Sequence, residues 1–223
     1  DFVTDYDKFA EREKEYADFE TRKQNDLVFP DRKVYVSDIF GYDFEIGIQS
    51  ASIWFNNQHK TKSFDFYYGS KFSYTDFRRS GRMKNGRFPN SSYGKGRKHQ
   101  FFDFALKGGI NYKFSGRHFL SMNLGLLTEA PVPDRAYIMS RSTDQTALNL
   151  KSARIFQSDL NYIFSTPKIA GRISFFQTNF NDQVERTQYY HDSERTFVFH
   201  QLSGVSKVHR GVEGAATFTP DRH

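Results

Sequence analysis

The side chains most able to act on a ligand gather in a few polar stretches. Arg78, Arg79, Arg82, Lys84, Arg87, Lys95, Arg97 and Lys98 form a run that no acidic residue interrupts between Asp76 and Asp103. Clustered cations raise the local positive potential and draw anionic ligands. Arg79, Arg82, Lys84, Arg87 and Lys95 are the candidate contacts, with Tyr93 beside them. The plainer alternative is a solvated loop, or one whose charge is balanced by lipid phosphates. Tyr189, Tyr190 and His191 form a second group near the tip of another polar segment. Exposed tyrosines stack on flat or sugar-like faces and add a hydroxyl, although loop tips also pack on one another. In Glu129–Tyr137, Pro131 and Pro133 stiffen the chain and suit a rim or a turn.

Signs of catalysis are sparse. Asp43 and Glu45 share a face at i and i+2, but no histidine or third carboxylate stands in register, so solvation is the better reading. The seven histidines show neither H-x-x-x-H nor H-E-x-x-H spacing. There is no G-x-S-x-G elbow, and Gly94-Lys95-Gly96 is too short to cradle a phosphate. The sequence predicts no enzyme, no cofactor and no metal site.

The elements that must position these residues read as strands. The chain has 223 residues, net charge +6 and no cysteine, which excludes a disulfide scaffold and thiolate-held metal. No stretch approaches the ~18 apolar residues of a spanning helix, and mean hydropathy is −0.72. Yet 25 Phe and 13 Tyr form an aromatic excess that favours strands and argues against disorder. Phe102, Phe104, Leu106, Gly108, Ile110, Tyr112 and Phe114 alternate with Asp103, Ala105, Lys107, Gly109, Asn111 and Lys113. A strand of that pattern has a different environment on each side. The pattern recurs over 64–75, 118–126 and 156–164, and less cleanly over 42–57, 168–183, 195–204 and 209–219.

Eight strands are thus expected, with short turns near 57–61, 115–117, 165–168 and 206–209. Long polar loops cover roughly 79–96, 128–151 and 182–194, with 1–41 as a fourth. Strict alternation of short and long connections fits an outer-membrane barrel with short turns at one rim. Aromatics near strand ends suit interfacial girdles, and some strands exceed the ~9–11 residues needed to cross hydrocarbon. The alternative is a half-exposed sheet whose aromatics form a core. In the barrel register Phe104, Leu106, Ile110, Tyr112, Leu160 and Tyr162 face lipid. Asp103, Lys107, Asn111, Lys113, Asp159 and Asn161 face the lumen.

Domain organisation follows. Residues 1–41 form a long outer loop, with a short helix around Tyr6–Phe19; residues 1–31 carry −5, leaving +11 for the rest. Residues 42–219 supply strands and loops, and 220–223 a cut end. The first residue, the absent leader region and the polar end suggest a piece of a longer protein.

Several segments, in order, carry a resemblance. They are Asn90-Ser91-Ser92-Tyr93-Gly94-Lys95-Gly96, Gly116-Arg117-His118-Phe119, Glu129–Tyr137, Asn161-Tyr162-Ile163-Phe164-Ser165, Gly171-Arg172-Ile173, Gln177–Gln183 and Val208-His209-Arg210-Gly211-Val212-Glu213. From about Asp31 to Thr219 the chain resembles the carboxyl-half barrel of TonB-dependent outer-membrane receptors, particularly those with an N-terminal carboxypeptidase-regulatory-like extension. The resemblance implies an all-β, antiparallel up-and-down transmembrane barrel of about 22 strands with a plugged lumen, of which this chain is an approximately eight-stranded portion. It implies the cell outer membrane of a Gram-negative bacterium, with lipid and lipopolysaccharide as neighbours. The function implied is active uptake of a scarce small-molecule nutrient, such as a ferric chelate, vitamin, glycan or peptide. Further partners would be an inner-membrane TonB complex acting through a plug absent from this chain and, in some relatives, a surface lipoprotein. Plug, TonB-contacting segment and a terminal aromatic strand are missing from the pattern here.

Two other readings compete. A self-contained small barrel, porin-like or an adhesin, needs only eight strands. A basic nucleic-acid-binding β-protein would suit a pI near 9.3. However, the aromatics share their face with Leu, Ile and Gly rather than with Lys and Arg, and no RNP1-like segment occurs. No nucleic-acid partner is expected.

Overall fold

Period-two sequence becomes one continuous meander. The computed structural model describes residues 2–4, 18–192 and 196–219. In chain order the elements are β1 (Phe2–Thr4), α1 (Phe19–Lys23), β2 (Lys33–Tyr35), β3 (Phe44–Lys60), β4 (Phe64–Gly81) and β5 (Gly94–Lys95). They continue with β6 (His99–Lys113), β7 (His118–Glu129), α2 (Pro133–Ala136), β8 (Ala153–Ser165), β9 (Ile169–His191) and β10 (Thr196–Phe218). β1 and β2 form a separate antiparallel pair. The rest is an eight-stranded antiparallel sheet in the order β10-β9-β8-β7-β6-β4-β3, with β5 pairing the end of β4. Among the described residues β3 and β10 are its edges.

The strand boundaries correct the sequence reading in one region. The strands expected over 195–204 and 209–219 are not two strands joined by a turn near 206–209: residues 196–204 and 209–218 both belong to β10, and residue 195 lies outside the described residues. Register shifts between Leu202 and Lys207 break the alternation there. Positive φ at Asp182 (61°) and Gly204 (75°) marks the same place on the two paired strands. Such bulges shift which face the side chains take, and this is why the pattern looked interrupted. Likewise 182–194 is mainly strand: β9 runs on to His191, opposite Thr196. The eighth strand is instead the two-residue β5. Most of the helix expected over Tyr6–Phe19 lies outside the described residues; α1 starts at Phe19, capped by Asp18, whose carboxylate accepts the Thr21 N–H at 2.9 Å and hydroxyl at 2.6 Å.

One end of the sheet is made of tight turns. Thr61 and Thr166 repeat one device: each donates its N–H to the carbonyl three residues on, Phe64 or Ile169, at 2.7 and 2.8 Å. Each hydroxyl also bonds that residue's carbonyl and N–H. At the opposite end β4 and β6 are joined by the 82–98 segment, β7 and β8 by 130–152, and β9 and β10 by a hairpin that prolongs both strands. The three tight turns therefore share one rim, and the two long connections, 82–98 and 130–152, share the other with the extended ends of β9 and β10.

Cross-strand register sorts side chains cleanly. Phe72 stands opposite Ile53 and Phe104, Ile110 opposite Met122, and Leu160 opposite Met122 and Phe175. About twenty large apolar residues share this face, and most are exposed, Phe102 at 80% and Val212 at 64% among them. At about 150–250 Å² per aromatic side chain, partial exposure on that scale leaves apolar surface on the order of 1,500 Å². Ordinary soluble monomers show patches of only ~300–600 Å².

The face is bordered by rings. Towards the tight turns, Phe64 stacks on Tyr112 at 4.7 Å, Tyr112 meets Phe114 at 4.5 Å, and the His118 ring lies over Tyr162 with an Nδ1–hydroxyl distance of 2.8 Å. Towards the long loops, Tyr74 packs on Phe102 at 5.0 Å.

Strand stagger is regular. The row Phe64, Tyr112, Leu120, Tyr162, Ile173, Gly214 runs straight across the sheet. Its distance from the middle of the nearest tight turn grows from about two residues on β4 to about six on β9. A climb of about one residue (~3.3 Å) per ~4.8 Å strand spacing corresponds to a tilt of about 35°. From Phe102 to Tyr112 is then ~33 Å along the strand and ~27 Å of height, against an apolar band of ~25 Å in outer-membrane barrels.

Candidate functional site

The opposite face is polar and internally bonded. Asp103, Lys107, Asn111, Lys113, Asp159 and Asn161 all fall on it, while Phe104, Leu106, Ile110, Tyr112, Leu160 and Tyr162 fall on the apolar face. Across the middle runs a relay of side chains. The Tyr67 hydroxyl donates to Asn123 Oδ1 at 3.0 Å, Asn123 Nδ2 to Asp159 Oδ1 at 2.7 Å, and Asn161 Nδ2 to the same oxygen. Ser174 Oγ completes the line by donating to Asn161 Oδ1 at 2.6 Å. Tyr67 reaches over an intervening strand because Gly109 lies between: a Cβ there would collide with Asn123 Oδ1 and the Tyr67 ring. Lower down, Lys113 Nζ bonds Asp65 at 2.6 Å and the Thr61 carbonyl at 3.1 Å.

At the long-loop end this face is roofed. The 130–152 segment folds over it and buries Ala136 and Tyr137 against Phe77 and Phe101, with Ile46, Ala130 and Leu150 around them. Arg79 holds the roof down. It is 2% exposed, and its Nε and Nη1 donate to the carbonyls of Ser140 (2.6 Å) and Ser92 (2.7 Å). Burial weakens the hold of Arg79 on its proton, while Asp144 and Tyr137 oppose that shift. Burial likewise pushes the Tyr137 phenol up. His99, whose ring lies 6.0 Å from that of Tyr137, is pulled below the ordinary histidine range by burial and then by Arg97, with Asp144 opposing.

The basic run is therefore mostly spoken for. Arg79 is enclosed. Arg82 reaches Asp43 at 3.0 Å and Glu45 at 2.6 Å, which explains the paired carboxylates. Lys98 pairs with buried Asp76 at 3.0 Å; burial pushes the Asp76 carboxyl up, but Lys98 and Tyr74 leave it below the usual range. Lys84 and Arg87 are half-buried within the 82–88 turn, where the Leu27 N–H meets the Lys84 carbonyl at 2.7 Å and the Gly86 N–H meets the Gln24 carbonyl at 2.9 Å. Lys95 and Tyr93 are exposed. Tyr189 and Tyr190 are about half exposed on β9, opposite Val198 and Phe197, and as adjacent strand residues they point to opposite faces. The His191 side chain lies outside the described residues.

Beneath the roof lies a feature the sequence reading did not single out. A cleft of about 430 Å³ is lined by Ser50, Lys71, Ser73, Thr75, Asp103, Thr128 and Glu129, with Ala105, Leu127 and 130–133. It opens where β6 and β7 separate: pairing stops at Ala105–Leu127, and the Phe104 N–H turns to Thr128 Oγ1 at 3.1 Å. A second cleft of about 350 Å³ shares Lys71 and Ala105 and adds Trp54, Asn56, Gly69 and Lys107. Asp103 is only 7% exposed, and its Oδ1 has no hydrogen-bond partner among the described residues. Alternation could have placed Lys71 and Asp103 on one face, but the gap between β6 and β7 has no sequence signature.

No family model matches the chain, and no curated protein matches it. Among solved structures, the siderophore receptor PirA from Pseudomonas aeruginosa is similar over 77% of this chain and 39% of that receptor, at 11% identity and a TM-score of 0.43. The chain thus spans about two fifths of that protein's length.

Proposed function

We propose that this chain forms part of the wall and outer loops of a transmembrane β-barrel in the outer membrane of a Gram-negative bacterium. The barrel belongs to a non-enzymatic, energy-coupled receptor that imports a scarce nutrient. The supporting observation is the exposed apolar face bordered by aromatic rows and backed by a hydrogen-bonded polar face. A bilayer covers the first, and a water-filled lumen solvates the second. Lipid and lipopolysaccharide surround the wall, and an inner-membrane TonB complex acts through a plug in the same lumen. Among the described residues β3 and β10 each have one unpaired edge, and edges of that length favour neighbouring strands on both sides over closure of this sheet on itself.

Two experiments test the reading. The segment has no cysteine, so single introduced cysteines can be labelled one at a time in outer-membrane vesicles. A fluorophore on Leu106→Cys is expected to be quenched by nitroxide lipid, and one on Lys107→Cys by aqueous iodide. Equal quenching at both sites removes the wall assignment. For transport, strains lacking this gene or the energy-coupling gene are grown on single nutrient sources. A shared growth defect supports import, and growth of the first strain on every source closed to the second removes it.

A further inference from the structure

We propose that the groove beneath the roof binds a zwitterionic ligand of short-peptide length. Its cationic end lies at Asp103 and Glu129 and its anionic end at Lys71 and Lys107. The inference rests on reading the polar face as the lumen.

The argument begins with Asp103. A buried carboxylate oxygen without a donor is costly, yet no ion pair joins Asp103 to Lys71 or Lys107 among the described residues. It stands opposite Ser73, and Glu129 continues the same row on β7 past the last β6–β7 pair. That row presents two carboxylates and hydroxyls to the cleft. Lys71 lies one same-face position further along, opposite both Ala105 and Trp54, and Lys107 lies one beyond that, opposite Gly69. The two cleft lobes meet at Lys71, so carboxylates and ammonium groups line one continuous groove.

Spacing then selects the ligand. Two to four strand residues separate the carboxylate row from the lysines, or about 7–13 Å. An extended tripeptide spans about 10–11 Å. A simple anion or cation would meet a like charge at one end, whereas a dipolar ligand satisfies both. Trp54, which is 74% exposed, supplies an apolar wall beside the lysines.

The test measures calorimetric binding of three peptides to the full-length protein in detergent: trialanine, its N-acetyl form and its carboxamide. Trialanine is expected to bind, with each blocked peptide at least ten-fold weaker. Asp103→Asn, or Glu129→Gln should the first variant fail to fold, is expected to erase the penalty for acetylation and keep that for amidation. Lys71→Gln is expected to do the reverse. Equal binding of all three peptides, no binding of any, or selective binding of a neutral trisaccharide overturns the proposal. Cysteine quenching at 106 and 107 tells the two failures apart: if the face pattern holds while trialanine is ignored, only this inference falls.

Discussion

The Tyr137 hydroxyl accepts the backbone N–H of Arg79 at 2.9 Å, bonding two residues 58 positions apart in the sequence. The contact ties the β7–β8 connection to the end of β4, and the Arg79 guanidinium extends the tie to Ser92 and Ser140. A long loop is thereby fixed as a lid on the polar face.

Removing that guanidinium should free the lid. Arg79→Met leaves the Ser140 and Ser92 carbonyls without their charged donor, and hydrogen bonds to charged groups are worth about 1.5–3 kcal/mol. Limited proteolysis should then cut within 130–152 while leaving the strands intact. Arg82→Ala, at an exposed ion pair, should leave the protection of 130–152 unchanged. Equal protection in both variants would show that Arg79 is not the fastener.

The two faces should respond oppositely to charge. Leu106→Arg, midway between Phe102 and Tyr112, should cost about 2–4 kcal/mol in refolding into lipid bilayers. Lys107→Gln should cost less than ~1 kcal/mol. Similar costs at the two positions would contradict the assignment of faces.

Those faces were legible in the sequence because period two survives wherever a strand divides two environments. Phe104, Leu106, Ile110, Tyr112, Leu160 and Tyr162 needed nothing more. The alternation misled at 195–219, where bulged pairing near Asp182 and Gly204 shifts it by a residue. Tertiary closeness was not legible either. Nothing local shows that Arg79 is enclosed, that Arg82 answers Asp43 and Glu45, or that the 130–152 segment folds over the sheet.

Gly109 should resist substitution. A β-carbon there displaces Tyr67 or Asn123 and breaks their hydrogen bond. Overpacking together with the lost bond predicts a cost of about 1–3 kcal/mol for Gly109→Ala in denaturant unfolding. In a Tyr67→Phe background the same change should cost less, because part of the loss has already occurred. Full additivity would mean that the two residues are uncoupled.

The lid should also loosen in mild acid. His99 has its pKa depressed by burial and Arg97. The unfolded chain therefore binds a proton first as pH falls below the ordinary value of ~6.5. The stabilisation is present above that value and is lost as pH drops through the folded pKa. Asp182 is depressed by Lys151, against burial, with Arg154 assisting. It follows the same sign, but only below the usual carboxylate range. An NMR titration of His99 should give a midpoint below 6.5, and His99→Phe should flatten proteolytic sensitivity between pH 7 and 5. A midpoint above 6.5 would reverse the expected sign.

The climb of one residue per strand separates position in the sheet from depth in a bilayer. Arg210 shares its face with Val208 and Val212 and falls in the row that links Tyr68, Gly108, Leu124, Ser158 and Gln177. Read along that row, a guanidinium would lie level with a tyrosine deep in the apolar belt. In a wall set in a bilayer each successive strand would be lifted, so Tyr68 would lie deeper among the acyl chains and Gln177 and Arg210 nearer the edge of the apolar band. A wall tilted in this way would hold the Arg210 cation nearer the polar boundary than its place in the row implies, and a row of substitutions across the sheet would sample a range of depths.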